Sequence, residues 1–205
     1  VLSTYDPALD AKGNTLATTI LDAPYKYKSG EPVNNHWGGY KGNITIRYCI
    51  QQSANVCTVK KYTEITPALG LQYLMENFAF TTLDSVQDSG QATSLGGITN
   101  GVYNIELTAA YAAIANAGTY TEPILYTQIY DNLGNLLFEN TPATHTAMKD
   151  STAYLITSAM QDVVSKGTGT AAKLSGYVSA GKTGTTTDTR DLWFSGYTPY
   201  LTASV

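Results

Sequence analysis

Charge is scarce in this sequence. Asp, Glu, Lys and Arg supply only 14% of its 205 residues, where an ordinary soluble domain carries about 25%. The formal net charge is -4 and the isoelectric point about 5.0. That leaves no basic surplus to displace counterions from phosphates, so a nucleic-acid partner is not expected. Cysteine is limited to Cys49 and Cys57, and histidine to His36 and His145. These are too few soft ligands for a zinc site, and no cofactor is implied. On one continuous helix the two thiols would stand ~12 Å apart, at about 1.5 Å per residue, beyond disulfide reach. A turn between them would bring them closer; the reading adopted is two separate small buried side chains. No apolar run attains the ~18 residues of a membrane span. The chain opens on Val1-Leu2-Ser3 rather than on Met and a basic segment, which is no signal peptide. The expectation is a piece of a longer protein, with any anchor or targeting signal upstream.

What is present suits one folded domain: 16 Tyr, 18 Gly and 43% apolar residues, over a length that can bury a real core. Val1, Leu2, Tyr5 and Leu9 have helical spacing and read as the tail of a helix. Residues 18–42 read as irregular surface loop from their Pro, Gly and Asn content. Its Trp37 and Tyr40 are either a cleft wall or two aromatics pinning an exposed loop. Thr45 caps a short helix with Ile46, Cys49 and Ile50 on one face. After the polar run 51–55, apolar spacing resumes at Val56 and Val59, so two short helices joined by a tight turn are predicted. Thr66-Pro67 opens another helix, with Leu71, Leu74, Met75 and Phe78 as its buried stripe. Asn104 is the predicted cap of an Ala-rich helix ending before Gly118. Residues 124–138 read as a hairpin. Asp150 is the predicted cap of a long helix whose apolar face is Ile156, Ala159, Met160, Val163 and Val164, ending at Lys166-Gly167. A turn at 167–170 leads to a second hairpin, Tyr177 to Thr186 and Asp191 to Thr198, with Thr187, Asp188, Thr189 and Arg190 between its strands. Asp188, Arg190 and Asp191 read as a solvated tip. Leu201 to Val205 begins another strand. Helices with late hairpins make the chain α+β, a single domain over residues 1–205.

Two short stretches can carry chemistry. In Lys182-Thr183-Gly184-Thr185, strand alternation points Thr183 and Thr185 one way and Lys182 the other. Gly184 lets another backbone or a ligand come close. Two hydroxyls and free N–H groups on such an edge would hold a carboxylate or an extended peptide. In Ser53-Ala54-Asn55 a turn can face both polar side chains into a cleft, although a helix cannot. A hydroxyl and an amide placed so can relay a proton and hold a substrate amide. His36 and His145 stand in loop contexts with no partner pattern and are not expected to be catalytic. Trp193 and Phe194 read as core and cleft wall.

The pairing of Ser-x-Asn with a distant Lys-Thr-Gly-Thr resembles the penicillin-recognising serine enzymes, whose nucleophile lies in a Ser-x-x-Lys box. Further segments extend the likeness over nearly the whole chain, in order: 5–9 (Tyr-Asp-Pro-Ala-Leu), 101–102, 106–112, 115–118, 167–172, 181–186 and 191–199. Together they resemble the transpeptidase domain of class A (bifunctional) penicillin-binding proteins. The resemblance implies an antiparallel sheet packed with helices, here incomplete at both ends. It implies that Ser53 relays protons, Asn55 holds the donor peptide's amide and Lys182 supports Ser53. Thr183 and Thr185, with Gly184 between them, would bind a terminal carboxylate, and the Thr185 N–H would supply half an oxyanion hole. The implied activity is D,D-transpeptidation by serine acyl transfer, with peptidoglycan stem peptides and β-lactams as partners. The implied setting is the extracytoplasmic face of a bacterial membrane, in a parent anchored upstream and carrying a glycosyltransferase domain. A β-lactamase or D,D-carboxypeptidase, or a non-catalytic muropeptide sensor, are the alternatives. One departure matters. The only literal Ser-x-x-Lys is Ser179 to Lys182, on a strand, where the two residues project to opposite faces. The true box is therefore expected before Val1, with the final strand and helix after Val205.

Overall fold

A computed structural model describes residues 1–186 and 189–205. Thr187 and Asp188, placed by the sequence in a hairpin loop, lie outside the described residues. The chain is α+β, as expected, and its centre is helix α6, Asp150–Lys166. Ile156, Ala159, Met160 and Val163 on that helix are fully buried. They meet helix α1 (Tyr5–Asp10), α2 (Ile46–Gln51), α5 (Asn104–Ala115) and strand β7 (Ala180–Thr185). Ala109, Ala110 and Ala113 of α5 are buried too; small side chains let this helix approach closely, as its composition predicts.

The start of α6 shows how the sequence fixes an element from a distance. Its N-cap is Lys149, not Asp150, and no side chain of its own caps it. Instead the Lys149 N–H and the Thr152 hydroxyl donate to Asp10 Oδ1, at 2.9 and 3.0 Å. The Tyr73 hydroxyl donates to Asp10 Oδ2 at 2.6 Å. The Asp10 carboxylate thus does for α6 what a local cap would do. Asn104 is likewise inside α5, and the cap position is Tyr103. The Asn104 side-chain amide donates to the Ser204 carbonyl instead, at 3.2 Å.

Thr45 does cap α2, accepting from the Tyr48 N–H, and α3 follows at Asn55–Ile65, so two helices flank the tight turn. Thr66 caps α4 (Pro67–Gln72), which runs into a π-helical turn at Tyr73–Asn77. That turn inserts one extra residue per cycle and rotates the stripe. Tyr73 turns inward as a result, while Met75, read as core, is 37% exposed.

Short strands complete the fold: β1 (Thr19–Asp22) with β2 (Gly42–Thr45), and β3 (Thr119–Thr121) with β6 (Thr144–Thr146). The predicted hairpin β4 (Gln128–Tyr130) and β5 (Leu136–Glu139) stands between β3 and β6. A three-stranded antiparallel sheet follows in the order β7-β8-β9, with β8 at Leu192–Tyr197 and β9 at Thr202–Ser204. Among the described residues no helix is long and apolar enough to cross a membrane.

Candidate active site

The turn between α2 and α3 is built to expose Ser53 and hide its neighbour. Ala54 is fully buried, and its N–H donates to the Cys49 carbonyl at 2.9 Å. Ser53 takes the left-handed backbone region, φ +54°, which is costly for a residue with a Cβ. Ser53 Oγ accepts from Lys182 Nζ at 2.8 Å. Asn55 Nδ2 donates to the Asn34 carbonyl at 2.8 Å, which leaves its Oδ1 without a partner among the described residues. Cys49 and Cys57 are both buried and free, on either side of the turn. Their thiols are neighbours, and that proximity, with burial, pushes the Cys49 thiol far above its ordinary value.

Strand β7 supplies the facing wall. In its register with β8, Lys182 lies opposite Ser195, Gly184 opposite Trp193 and Thr185 opposite Leu192. The Phe194 backbone exchanges both its bonds with Val205 of the β9 segment. Alternation then gives Trp193 and Ser195 to β7, where they pair with Gly184 and Lys182. The N–H groups of Thr183 and Thr185 therefore lie on the open edge of the sheet. A Cβ at Gly184 would meet only Trp193 Cβ, at 3.3 Å, so this stretch is kept slim.

Lys182 is held between Ser53 Oγ and the Thr183 carbonyl, 2.9 Å away. Burial pushes its pKa down to about 8, since desolvation disfavours the ammonium. On the other face the Thr183 hydroxyl shares a hydrogen bond with the Thr168 hydroxyl at 2.9 Å. The sequence reads Thr168 as part of a turn and of the 167–172 segment that carries the resemblance, with no role of its own. Its signal was the run of small residues around it: a Cβ on Gly167 would run into the Gln51 carbonyl, and one on Gly169 would crowd Val163. The run joins the ends of α2 and α6 to β7.

Ser53, Asn55, Lys182, Thr183, Gly184 and Thr185 all line one cavity of about 800 Å³, together with Trp193 and the 93–102 loop. The structure thus brings the six sequence-predicted residues together. Ser179 precedes β7 and does not line this cavity. Trp37 and Tyr40 do not line the cavity. Trp37 packs on the core with Lys41 Nζ 5.5 Å from its ring, and Tyr40 is exposed. Neither histidine lines it either: His36 Nε2 bonds the Gln52 carbonyl and His145 Nε2 the Asn77 carbonyl, each at 2.9 Å. Among the described residues no group of acidic, His or Cys side chains could hold a metal ion.

A helix-packed antiparallel sheet, with Lys-Thr-Gly-Thr on its edge facing a Ser-x-Asn turn, defines the penicillin-recognising class of domain. Within that class the chain belongs to the penicillin binding protein transpeptidase domain family, whose model matches residues 3–205. It is 35% identical over 214 residues to penicillin-binding protein 1A of Clostridium acetobutylicum, covering 100% of this chain and 26% of that protein. The 1A relatives agree with the class A resemblance. The chain spans about a quarter of the length of the curated relatives it matches. Among solved structures, the D,D-transpeptidase domain of a peptidoglycan glycosyltransferase from Eggerthella lenta superposes with a TM-score of 0.81 at 21% identity, over 97% of this chain and 55% of that one. Penicillin-binding protein A of Mycobacterium tuberculosis, an imipenem acyl-enzyme complex, gives 0.85 at 18% identity, over 99% and 51%. At these identities the structures speak to the fold.

Proposed function

We propose that this domain is the donor-binding wall of a peptidoglycan D,D-transpeptidase that works by serine acyl transfer. The observation that carries it is the Lys182 Nζ to Ser53 Oγ contact of 2.8 Å, across the cavity edge where the Thr183 and Thr185 N–H groups are open. In this reading the nucleophilic serine and its lysine come from a segment preceding Val1. Serine attacks the carbonyl of the penultimate D-Ala. The C–N bond to the last D-Ala breaks, and that D-Ala leaves with a proton relayed through Ser53. An amine from a neighbouring stem peptide then attacks the ester, returns its proton along the same path and frees the serine.

Thr183 and Thr185 bind the donor's terminal carboxylate, or that of a β-lactam, and Gly184 lets the donor backbone lie against β7 as an added strand. Asn55 holds the donor amide. The Thr185 N–H stabilises the oxyanion, a contribution worth about 2.7–4 kcal/mol per donor in comparable sites. Support also comes from relatives named penicillin-binding proteins and from a structural neighbour captured as an imipenem acyl-enzyme. The same relatives favour transpeptidation over a β-lactamase or carboxypeptidase reading. In this reading the domain belongs to a parent anchored in the bacterial membrane, acting on its outer side and carrying a glycosyltransferase domain; a structural neighbour, the D,D-transpeptidase domain of a peptidoglycan glycosyltransferase, accords with the last point. The test is a fluorescent penicillin on the longer parent protein. Covalent labelling that persists for many minutes is expected; no labelling contradicts the proposal, and rapid turnover would make the domain a β-lactamase.

A further inference from the structure

The loop at 34–36 grips the Ser53 turn from both sides, and no residue of the loop lines the cavity. His36 Nε2 bonds the Gln52 carbonyl at 2.9 Å, one residue before Ser53. The Asn34 carbonyl accepts from Asn55 Nδ2 at 2.8 Å, two residues after it. Between them, Asn35 Oδ1 accepts the Val56 N–H at 3.2 Å. The α3 cap residue, Ala54, has no side-chain acceptor of its own, so Asn35 caps that helix from outside.

Asn35 is itself locked. It is 6% exposed, and its Nδ2 donates to Asp22 Oδ1 at 2.9 Å and to the Gly39 carbonyl at 3.3 Å. Asp22 is 1% exposed and takes the Lys41 N–H on its other oxygen at 2.9 Å. The bracket therefore rests on a buried polar chain that is satisfied at each link. Ser53 needs such a bracket. A non-glycine residue at φ +54° persists only where its surroundings over-determine it. Within the helix pair the turn is tied by the Ser53 N–H to the Ile50 carbonyl at 3.3 Å, the Ala54 N–H to the Cys49 carbonyl at 2.9 Å and the Gln52 N–H to the Tyr48 carbonyl at 2.9 Å, with the Thr58 hydroxyl donating to the Ala54 carbonyl at 2.7 Å; the loop bonds add to these from outside the pair.

We propose that Asn34, Asn35 and His36 are positioning residues for the acyl-transfer reaction. They fix the Ser53 hydroxyl and the free Asn55 amide oxygen at the distance from Lys182 and Thr185 that proton relay requires. The inference rests on the transpeptidase reading above. His36 is the arm that separates positioning from stability, because it touches the turn and caps nothing.

The experiment uses the longer parent protein and a fluorescent penicillin. Rapid mixing separates the non-covalent Kd from the acylation rate constant, and thermal unfolding is followed in parallel. His36→Leu is expected to slow acylation by about three- to tenfold, the worth of one hydrogen bond. Kd should not move, because the carboxylate clamp on β7 is untouched. His36→Gln keeps an N–H for the Gln52 carbonyl and should restore most of the rate. His145→Leu, which removes the bond to Asn77 away from the cleft, should label like the unaltered protein. The inference is overturned if His36→Leu acylates at the unaltered rate, if its loss appears in Kd or in unfolding temperature instead, if Gln fails to restore, or if His145→Leu slows equally. An unaltered protein that does not label at all would overturn the transpeptidase reading itself, a distinguishable result.

Discussion

Lys182 is half-buried at the cavity wall, with its ammonium between Ser53 Oγ on one side and the Thr183 carbonyl on the other. Its pKa, lowered by burial to about 8, sets a pH window. If the ammonium supports Ser53, penicillin acylation of the parent protein should fall as pH rises through about 8. Lys182→Arg keeps the charge and should abolish that alkaline limb, even at a lower overall rate. Lys182→Ala should cost roughly a hundredfold or more in acylation, comparable to losing a preorganised donor. Asp6 makes a second residue-scale test. Its carboxyl is fully buried with neither oxygen hydrogen-bonded, and burial raises its pKa to about 8. In the unfolded chain the group ionises near its ordinary value, so the folded state binds the proton more tightly. The Asp6 contribution to stability is therefore fully present below its ordinary value and falls until pH passes about 8. Asp6→Asn should flatten that slope and raise the unfolding temperature most above about 8. A slope unchanged in the variant would show that Asp6 is not its source.

At the scale of elements, α6 depends on an anchor from α1. Burial alone would raise the Asp10 pKa, but the bonds from Tyr73, the Lys149 N–H and Thr152 outweigh it and hold the carboxyl below its usual range. Its contribution is therefore present at neutral pH and lost as pH falls through the folded pKa. Asp10→Ala should destabilise the domain by about 1–2 kcal/mol, as loss of a helix cap does, measured by chemical denaturation. Gly167→Ala meets the Gln51 carbonyl and the Val163 backbone. It should cost about 1–3 kcal/mol by overpacking, and should also slow acylation by shifting Thr168 against Thr183. These elements also mark how far the sequence could be read. Local signals were sound: Thr45 and Thr66 cap the helices they precede, and the apolar face of α6 is buried as spaced. Distant partners were not legible. Nothing near Asp150 announces that Asp10 does the capping, and nothing near Asn104 announces Ser204. The π-turn at Tyr73–Asn77 shifted the stripe off Met75, because one inserted residue leaves no mark in an apolar pattern. The site was legible as two short motifs whose roles came from the resemblance of the whole ordered run of segments; that Thr168 bonds Thr183, and that Asn35 and His36 bond the Ser53 turn, is tertiary information.

At the scale of the whole molecule, the chain gathers two walls of a cleft from residues far apart in sequence. The Ser53 turn comes from a helix pair, and Lys182 to Thr185 from an edge strand, and α6 is packed behind both. The family match runs over residues 3–205, yet the chain spans about a quarter of its curated relatives. In the proposed mechanism the attacking serine is not among these 205 residues, and this domain supplies the relay, the clamp and half the oxyanion hole. The most direct test is to label the longer parent protein with a penicillin, digest it and locate the adduct by mass spectrometry. The mechanism predicts one adduct, on the serine of a Ser-x-x-Lys sequence in the parent, and none when the 205 residues are treated alone. An adduct on Ser53, on Ser179, or anywhere else within these 205 residues would contradict it.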